Sequence, residues 1–258
     1  MGATLDPSID QAGVRIGLSA VVIALRDGAA SVLTTPGVDG DAALPFGPFD
    51  PVRDRTFELA LRAFVTAQTG FRLGFVEQLY TFGDLGRDSP RATPGPERRR
   101  EVSVGYLALT ADSADVPQAD ARWTPVLDFF PWEDRREGAP PCVGPMLEAL
   151  RAWAGEDARR RARVDTLFAA GADLRWNESR VLERYELLYE AGLVVEAARD
   201  GDRPPSTLAS GRPMASDHRR ILATGLGRLR AKLRYRPVLF DLMPGTFTLS
   251  GLQSAAEA

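Results

Sequence analysis

The sequence predicts an α+β fold, a mixed sheet sandwiched by helices and followed by a mostly helical region. Three observations predict it. Two apolar runs meet at Asp27-Gly28, the signature of a β-hairpin. Residues 102–110 carry Val102, Val104, Tyr106 and Ala108 on one face and Leu107 and Leu109 on the other, as a central strand covered from both sides requires. The second half places apolar residues at spacings of three and four, the period of amphipathic helices.

Each element follows in order. Residues 1–13 read as a disordered arm broken by Pro7 and Gly13. Apolar runs 16–25 and 31–34 form the hairpin, and residues 36–56, rich in Gly, Pro and Asp, read as a loop. A helix carries Phe57, Leu61, Phe64, Val65 and Gln68, with Gly70 as its stop. Residues 73–82 and 102–110 are strands separated by a Gly/Pro/Arg loop, and the aromatic run Trp123 to Trp132 closes the unit near residue 135. Helices are expected at 143–154 and 158–169. A third carries Leu182, Tyr185, Leu188 and Tyr189, capped by Asn177 and ended by Gly192. After a linker at 200–213, Leu222, Leu226, Leu229 and Leu233 mark one helix face from about 216 to 235, ended by Pro237. Val238–Leu242 is a short apolar run, and 248–258 reads as the first turns of another helix.

Composition excludes several functions. With 258 residues and 44% hydrophobic content, the chain can bury a core, as one large domain or two modest ones. A net charge of −3, from 32 Lys+Arg and 35 Asp+Glu, excludes binding of polyanions through overall charge, though not through a local basic patch. One cysteine, Cys142, excludes an intrachain disulfide and multi-cysteine metal sites. One histidine, His218, excludes multi-histidine zinc sites and argues against a Ser-His-Asp hydrolase; it reads as a packing or capping residue. No apolar stretch reaches the roughly 18 residues that span a bilayer, and no signal peptide opens the chain, so a cytoplasmic protein without membrane association is expected.

The segment Leu44-Pro45-Phe46-Gly47-Pro48-Phe49, with the helix ending at Thr69-Gly70-Phe71, resembles a Nudix domain. In that family a Gly-led loop and a short helix carry Gly-X5-Glu-X7-Arg-Glu-apolar-X-Glu-Glu-X-Gly-apolar. Its glutamates hold magnesium or manganese through oxygen, and the metals neutralise a diphosphate and activate water. Aligned backward from Gly70, the Arg-Glu positions are Ala63 and Phe64, the paired glutamates are Ala67 and Gln68, and the first glutamate is Arg55. Gly47 lies two residues too early, and Val65 keeps its apolar place. The resemblance therefore implies no catalytic residue, no metal and no cofactor.

Two further blocks resemble the Nudix-related transcriptional regulators of NAD metabolism. One runs from Leu73-Gly74-Phe75-Val76-Glu77-Gln78-Leu79-Tyr80-Thr81-Phe82 through Arg87-Asp88 to Val102–Leu109. The other begins at Asp217-His218-Arg219-Arg220-Ile221-Leu222. It passes Leu229–Val238 and ends at Phe240-Asp241-Leu242-Met243-Pro244 and Phe247–Gln253. In these regulators a usually inactive Nudix domain senses a nucleotide, typically ADP-ribose, and a C-terminal winged helix binds operator DNA. The resemblance implies a Nudix-like domain at 14–135, a helical insertion and linker at 136–212 and a long helix packing on the Nudix domain at 213–236. It also implies an incomplete start of a winged helix-turn-helix at 237–258. A homodimer is expected, with DNA binding dependent on the remainder of the winged helix.

Candidate residues follow. Arg55, Phe82 and Arg87 are candidate ligand contacts, Phe82 reading either as a stacking partner for a base or as core. Arg230, Lys232 and Arg234, within the run Arg228 to Arg236, read either as contacts to DNA phosphates or as a solvated face opposite the leucines. The competing reading is a divergent Nudix hydrolase cleaving a nucleoside diphosphate linked to another moiety. It would use magnesium or manganese held by carboxylates outside the signature, such as Glu58, Glu77 or Asp84.

Overall fold

The computed structural model describes residues 13–37, 40–83, 100–111, 120–201, 204–234, 238–243, 246–248, 250 and 252–253. Its strands are β1 (Val14–Arg26), β2 (Ala29–Pro36), β3 (Ala42–Ala43), β4 (Phe46–Pro48), β5 (Phe75–Phe82), β6 (Arg100–Thr110) and β7 (Arg122–Pro125). Its helices are α1 (Phe57–Thr69), α2 (Val126–Phe129), α3 (Val143–Ala154), α4 (Ala158–Phe168), α5 (Val181–Glu190), α6 (Val195–Asp200) and α7 (His218–Leu233).

The sheet runs β3-β2-β1-β6-β5, with β4 added to β1 and β7 to β2. β1 and β6 pair in parallel from Val14↔Arg100 to Ala24↔Thr110, and the other pairs are antiparallel. The hairpin turn is the expected one: Asp27 and Gly28 have φ of 51° and 76°, so a two-residue turn joins Arg26 to Ala29. The stretch 36–56 is more ordered than its composition predicts. It holds β3 and β4 because Phe46–Pro48 find an open ladder at Gly17–Ser19 of β1.

Both faces of the sheet are covered, as the pattern of β6 requires. On one face Leu18, Ala20, Val22, Val104, Tyr106 and Ala108 pack with Ala60, Leu61 and Val65 of α1. On the other, Val21, Ile23, Leu107 and Leu109 join one continuous apolar cluster with α3, α4, α5 and α7. The helical half thus shares its core with the sheet.

The helices match the expected spans closely, with one exception in detail. Asn177 does not cap α5. Its side-chain oxygen accepts from the Ser179 N–H at 3.1 Å, forming a local Asx turn, and the helix begins only at Val181. The short α6 escaped the sequence reading, since six residues carry too little periodicity to register. The helix ending the long leucine pattern stops at Leu233, and Pro237 lies outside the described residues.

Two buried ion pairs tie the helical layer together. Glu133 accepts from Arg184 Nε at 2.6 Å and Nη2 at 2.9 Å, both side chains being fully buried, and also from Arg230 at 2.6 Å. Arg184 spends its remaining donors on the carbonyls of Leu167 and Asn177. Arg219 pairs with Glu196 at 3.1 Å and donates to the carbonyls of Phe129 and Ser210. Apart from the Arg219 Nε, which has no hydrogen-bond partner among the described residues, the named groups of both pairs are hydrogen-bonded, and removal of one partner strands the other.

Two stability predictions follow from this packing. Glu133→Ala leaves Arg184 buried without its counter-ion, so urea unfolding should show a loss of about 3–5 kcal/mol. Gly225 of α7 lies against β1 so closely that an added Cβ would stand 2.9 Å from Val21 Cγ1, whereas one at Gly144 meets nothing within 4 Å. Gly225→Ala should therefore cost about 1–3 kcal/mol, while Gly144→Ala should be neutral or stabilising by up to ~1 kcal/mol.

Candidate functional site

Helix α1 keeps the frame of the signature and fills it with different chemistry. The Thr56 side chain accepts from the Leu59 N–H at 3.2 Å as N-cap, and Gly70 closes the helix at φ 71°, a left-handed conformation that glycine adopts without strain. Ahead of it, the Asp50 carboxylate accepts from the N–H groups of Val52 and Arg53, while Asp54 accepts from the Asp50 N–H, so the loop is held by its own acids.

The former ligand positions do not assemble a cage. Ala63 and Ala67 are exposed. Phe64 lays its ring on Gly47, where a Cβ would come within 3.1 Å of ring carbons, so the signature helix and the Gly-led loop are joined by an apolar contact. Gln68 makes a reciprocal pair with the Phe46 backbone, donating to its carbonyl at 2.6 Å and accepting from its N–H at 3.3 Å. A glutamate there could accept but not donate. Glu58 is committed to Arg62 at 2.8 Å. Arg62 in turn donates to the carbonyls of Leu73 at 2.5 Å and Gly74 at 3.0 Å, pinning α1 to the approach to β5. The residues present do not fit a divalent cation: no group of three or more His, Cys, Asp or Glu that could hold one occurs among the described residues.

The carboxylates of the hydrolase reading are dispersed. Glu77 of β5 lies on the α7 side of the sheet, paired with Lys232 and facing Arg228 at 3.8 Å. Glu58 lies on the α1 side, where burial, and secondarily the Glu58 charge, raise the Tyr106 phenol above its ordinary pKa. Asp84 lies outside the described residues.

The candidate ligand contacts divide. The register Phe82↔Ser103, Ser103↔Gly17 and Gly17↔Pro48 places the end of β5 three strands from the end of β4, roughly 14 Å at the usual strand spacing. The exposed Arg55 follows β4 in the loop before α1. Phe82 is 5% exposed and packs over Gly105, so its ring belongs to the core and its stacking role is corrected. Arg87 lies outside the described residues. His218 is buried, its Nδ1 accepting from the Leu44 N–H at 3.1 Å and its ring edge-on to Phe46, the packing role expected of it.

The candidate DNA contacts all meet carboxylates. Arg230 is bound to Glu133, Lys232 is buried against Glu77, and Arg234 meets Glu178 at 2.7 Å. Arg230 and Lys232 fasten α7 to its neighbours and to the sheet, whereas the Arg234 pair, just past α7, is solvent-exposed on both sides. The sequence run could not show this, because the acids that neutralise it come from three distant segments.

Sequence reasoning also missed a cleft of about 500 Å³ between the end of β5 and helices α5 and α7, rimmed by Tyr80, Glu186 and Arg220. Its charged pair is 34 residues apart on two helices, so spacing carries no signal for it.

Gln68→Glu tests the rewired α1 directly. It removes the donor to Phe46 and sets a carboxylate against a carbonyl, so the urea midpoint should fall by the equivalent of ~1–2 kcal/mol. Added Mg²⁺ should not restore it.

No family model and no curated protein sequence matches the chain. Solved structures do match. Shewanella oneidensis NrtR aligns over 94% of this chain and 75% of its own, at 18% identity and a TM-score of 0.53. The same protein complexed with a 27mer DNA aligns over 94% and 74%, at 18% identity and a TM-score of 0.50. The NUDIX domain of NrtR complexed with ADP ribose covers 49% of this chain and 81% of its own, at 26% identity and a TM-score of 0.38. The chain has the fold of Shewanella oneidensis NrtR.

Proposed function

We propose that the chain is the nucleotide-sensing part of a transcriptional regulator of NAD metabolism, a Nudix-like domain that binds ADP-ribose or a related metabolite without hydrolysing it. The observation that carries this reading is the state of α1. Its caps, its apolar contacts and its docking on the sheet are in place, while the positions aligned with the signature glutamates are Arg55, Phe64, Ala67 and Gln68 and that of its arginine is Ala63. The shared fold with NrtR and the two further sequence blocks support the same assignment. Arg55, exposed beside the helix, is the available cation for a diphosphate on this side. Arg87 is retained as a second candidate.

In this reading no magnesium or manganese is required. Operator DNA is contacted by the part of the protein that follows α7, since Arg230 and Lys232 of α7 are held in internal pairs. The protein acts as a homodimer, and the ligand biases it by binding one arrangement more tightly than another. No described helix is long and apolar enough to cross a membrane.

The test is incubation with ADP-ribose, with and without Mg²⁺ or Mn²⁺, following product and melting temperature together. At a hundredfold excess over Kd, binding to the folded state adds about 2.7 kcal/mol, a rise of roughly 5–10 °C for a chain of this size. The expected result is that rise without metal and without product. Turnover would establish the hydrolase instead, and absence of both effects would remove the nucleotide from the account.

A further inference from the structure

We infer that the cleft between β5, α5 and α7 binds a neutral planar heterocycle bearing adjacent donor and acceptor groups, a nucleobase or a nicotinamide-type amide, at a site separate from the α1 side of the sheet. The inference goes beyond the proposed function and does not depend on it.

The cleft has the dimensions and composition of a small-molecule site. Its volume of about 500 Å³ lies within the usual range for ligand clefts. Tyr80 and Phe82 form one side, Leu182 and Glu186 of α5 a second, Arg220 and Thr224 of α7 a third. Tyr80 is 64% exposed. Its tilt is fixed by Phe82, whose ring lies 5.4 Å away at 76°. An exposed ring at the mouth of a cleft is a stacking surface for a planar molecule.

The electrostatics select against a diphosphate here. Arg220 Nε lies 2.6 Å from Glu186 Oε1, and its Nη2 donates to Oε2 at 3.2 Å, so the two charges cancel within the wall. The guanidinium is also held over the Tyr189 ring at 5.1 Å. A phosphate would have to displace Glu186 to reach Arg220 and would leave that carboxylate beside a second anion. A neutral amide brings no second charge beside the pair. Thr224 directs its hydroxyl to the Arg220 carbonyl at 2.9 Å, and Leu182 adds apolar surface.

The position gives occupancy a consequence. A molecule in the cleft touches the sheet and α7 together, so binding favours the docked position of α7 over any other.

Calorimetric titration of the full chain with adenosine and with nicotinamide, without metal, tests the inference. At least one probe should saturate at one per chain. Tyr80→Ala should weaken it about tenfold, the usual loss for a base–aromatic stack. Thr224→Phe, which fills the cleft, should abolish it while leaving the effect of ADP-ribose on melting unchanged. Circular dichroism and melting of each unliganded variant confirm that it is folded, and Tyr80→Phe should bind as the wild type. The inference is overturned if neither probe saturates, if folded Tyr80→Ala and Thr224→Phe both bind as the wild type, or if Thr224→Phe loses adenosine and ADP-ribose together. Probe binding without any ADP-ribose effect would instead remove the proposed function and leave this site standing.

Discussion

The parallel pairing of β1 with β6 is the constraint on which the rest of the molecule depends. Eleven consecutive residue pairs, from Val14↔Arg100 to Ala24↔Thr110, lie in the middle of the sheet with neighbours on both sides. Parallel strands cannot be joined by a hairpin; they need a crossover, and both faces must then be kept from water. The crossover from β1 to β6 contains α1, which covers one face through Ala60, Leu61 and Val65. The opposite face is left for the helices that follow. That demand accounts for the close approach of Gly225 to Val21 and for the continuity of the second core from the sheet into α5 and α7.

The position of α1 on the sheet does not require acids at the positions aligned with the signature. The residues that dock it point inward, and of the positions aligned with the signature acids Ala67 and Gln68 are exposed while Phe64 packs at the edge of the core. Phe64 contacts Gly47, Gln68 has a two-way link to Phe46, and Arg62 bridges to Leu73 and Gly74. Acids in the same places would have to be neutralised by a cation or solvated. In this helix the side chains are satisfied by the protein itself.

Much of this was legible in the sequence because it is local. Asp27-Gly28 encodes a two-residue turn, the two-sided pattern of 102–110 encodes a central strand, and Gly70 encodes a helix stop; each was met at the expected residue. The missing acids of α1 were equally plain, since only spacing from Gly70 is needed to find them. What failed was nonlocal. Arg230, Lys232 and Arg234 look like one basic face in sequence, but their partners Glu133, Glu77 and Glu178 come from β5 and from two loops brought alongside by packing. Phe82 has the composition of either a stacking ring or a core ring, and only the absence of a side chain at Gly105 decides for the core. Asn177 was misplaced for the opposite reason: it satisfies a nearer N–H before the helix can use it.

The central claim is that α1 keeps its shape and has lost its grip on divalent ions. Manganese titration followed by electron paramagnetic resonance, with amide line broadening across residues 55–68 read by NMR on the same samples, addresses it most directly. The account predicts a free-manganese spectrum at every ratio, with or without ADP-ribose, and no selective broadening along the helix. Stoichiometric manganese binding that broadens 55–68 would contradict it.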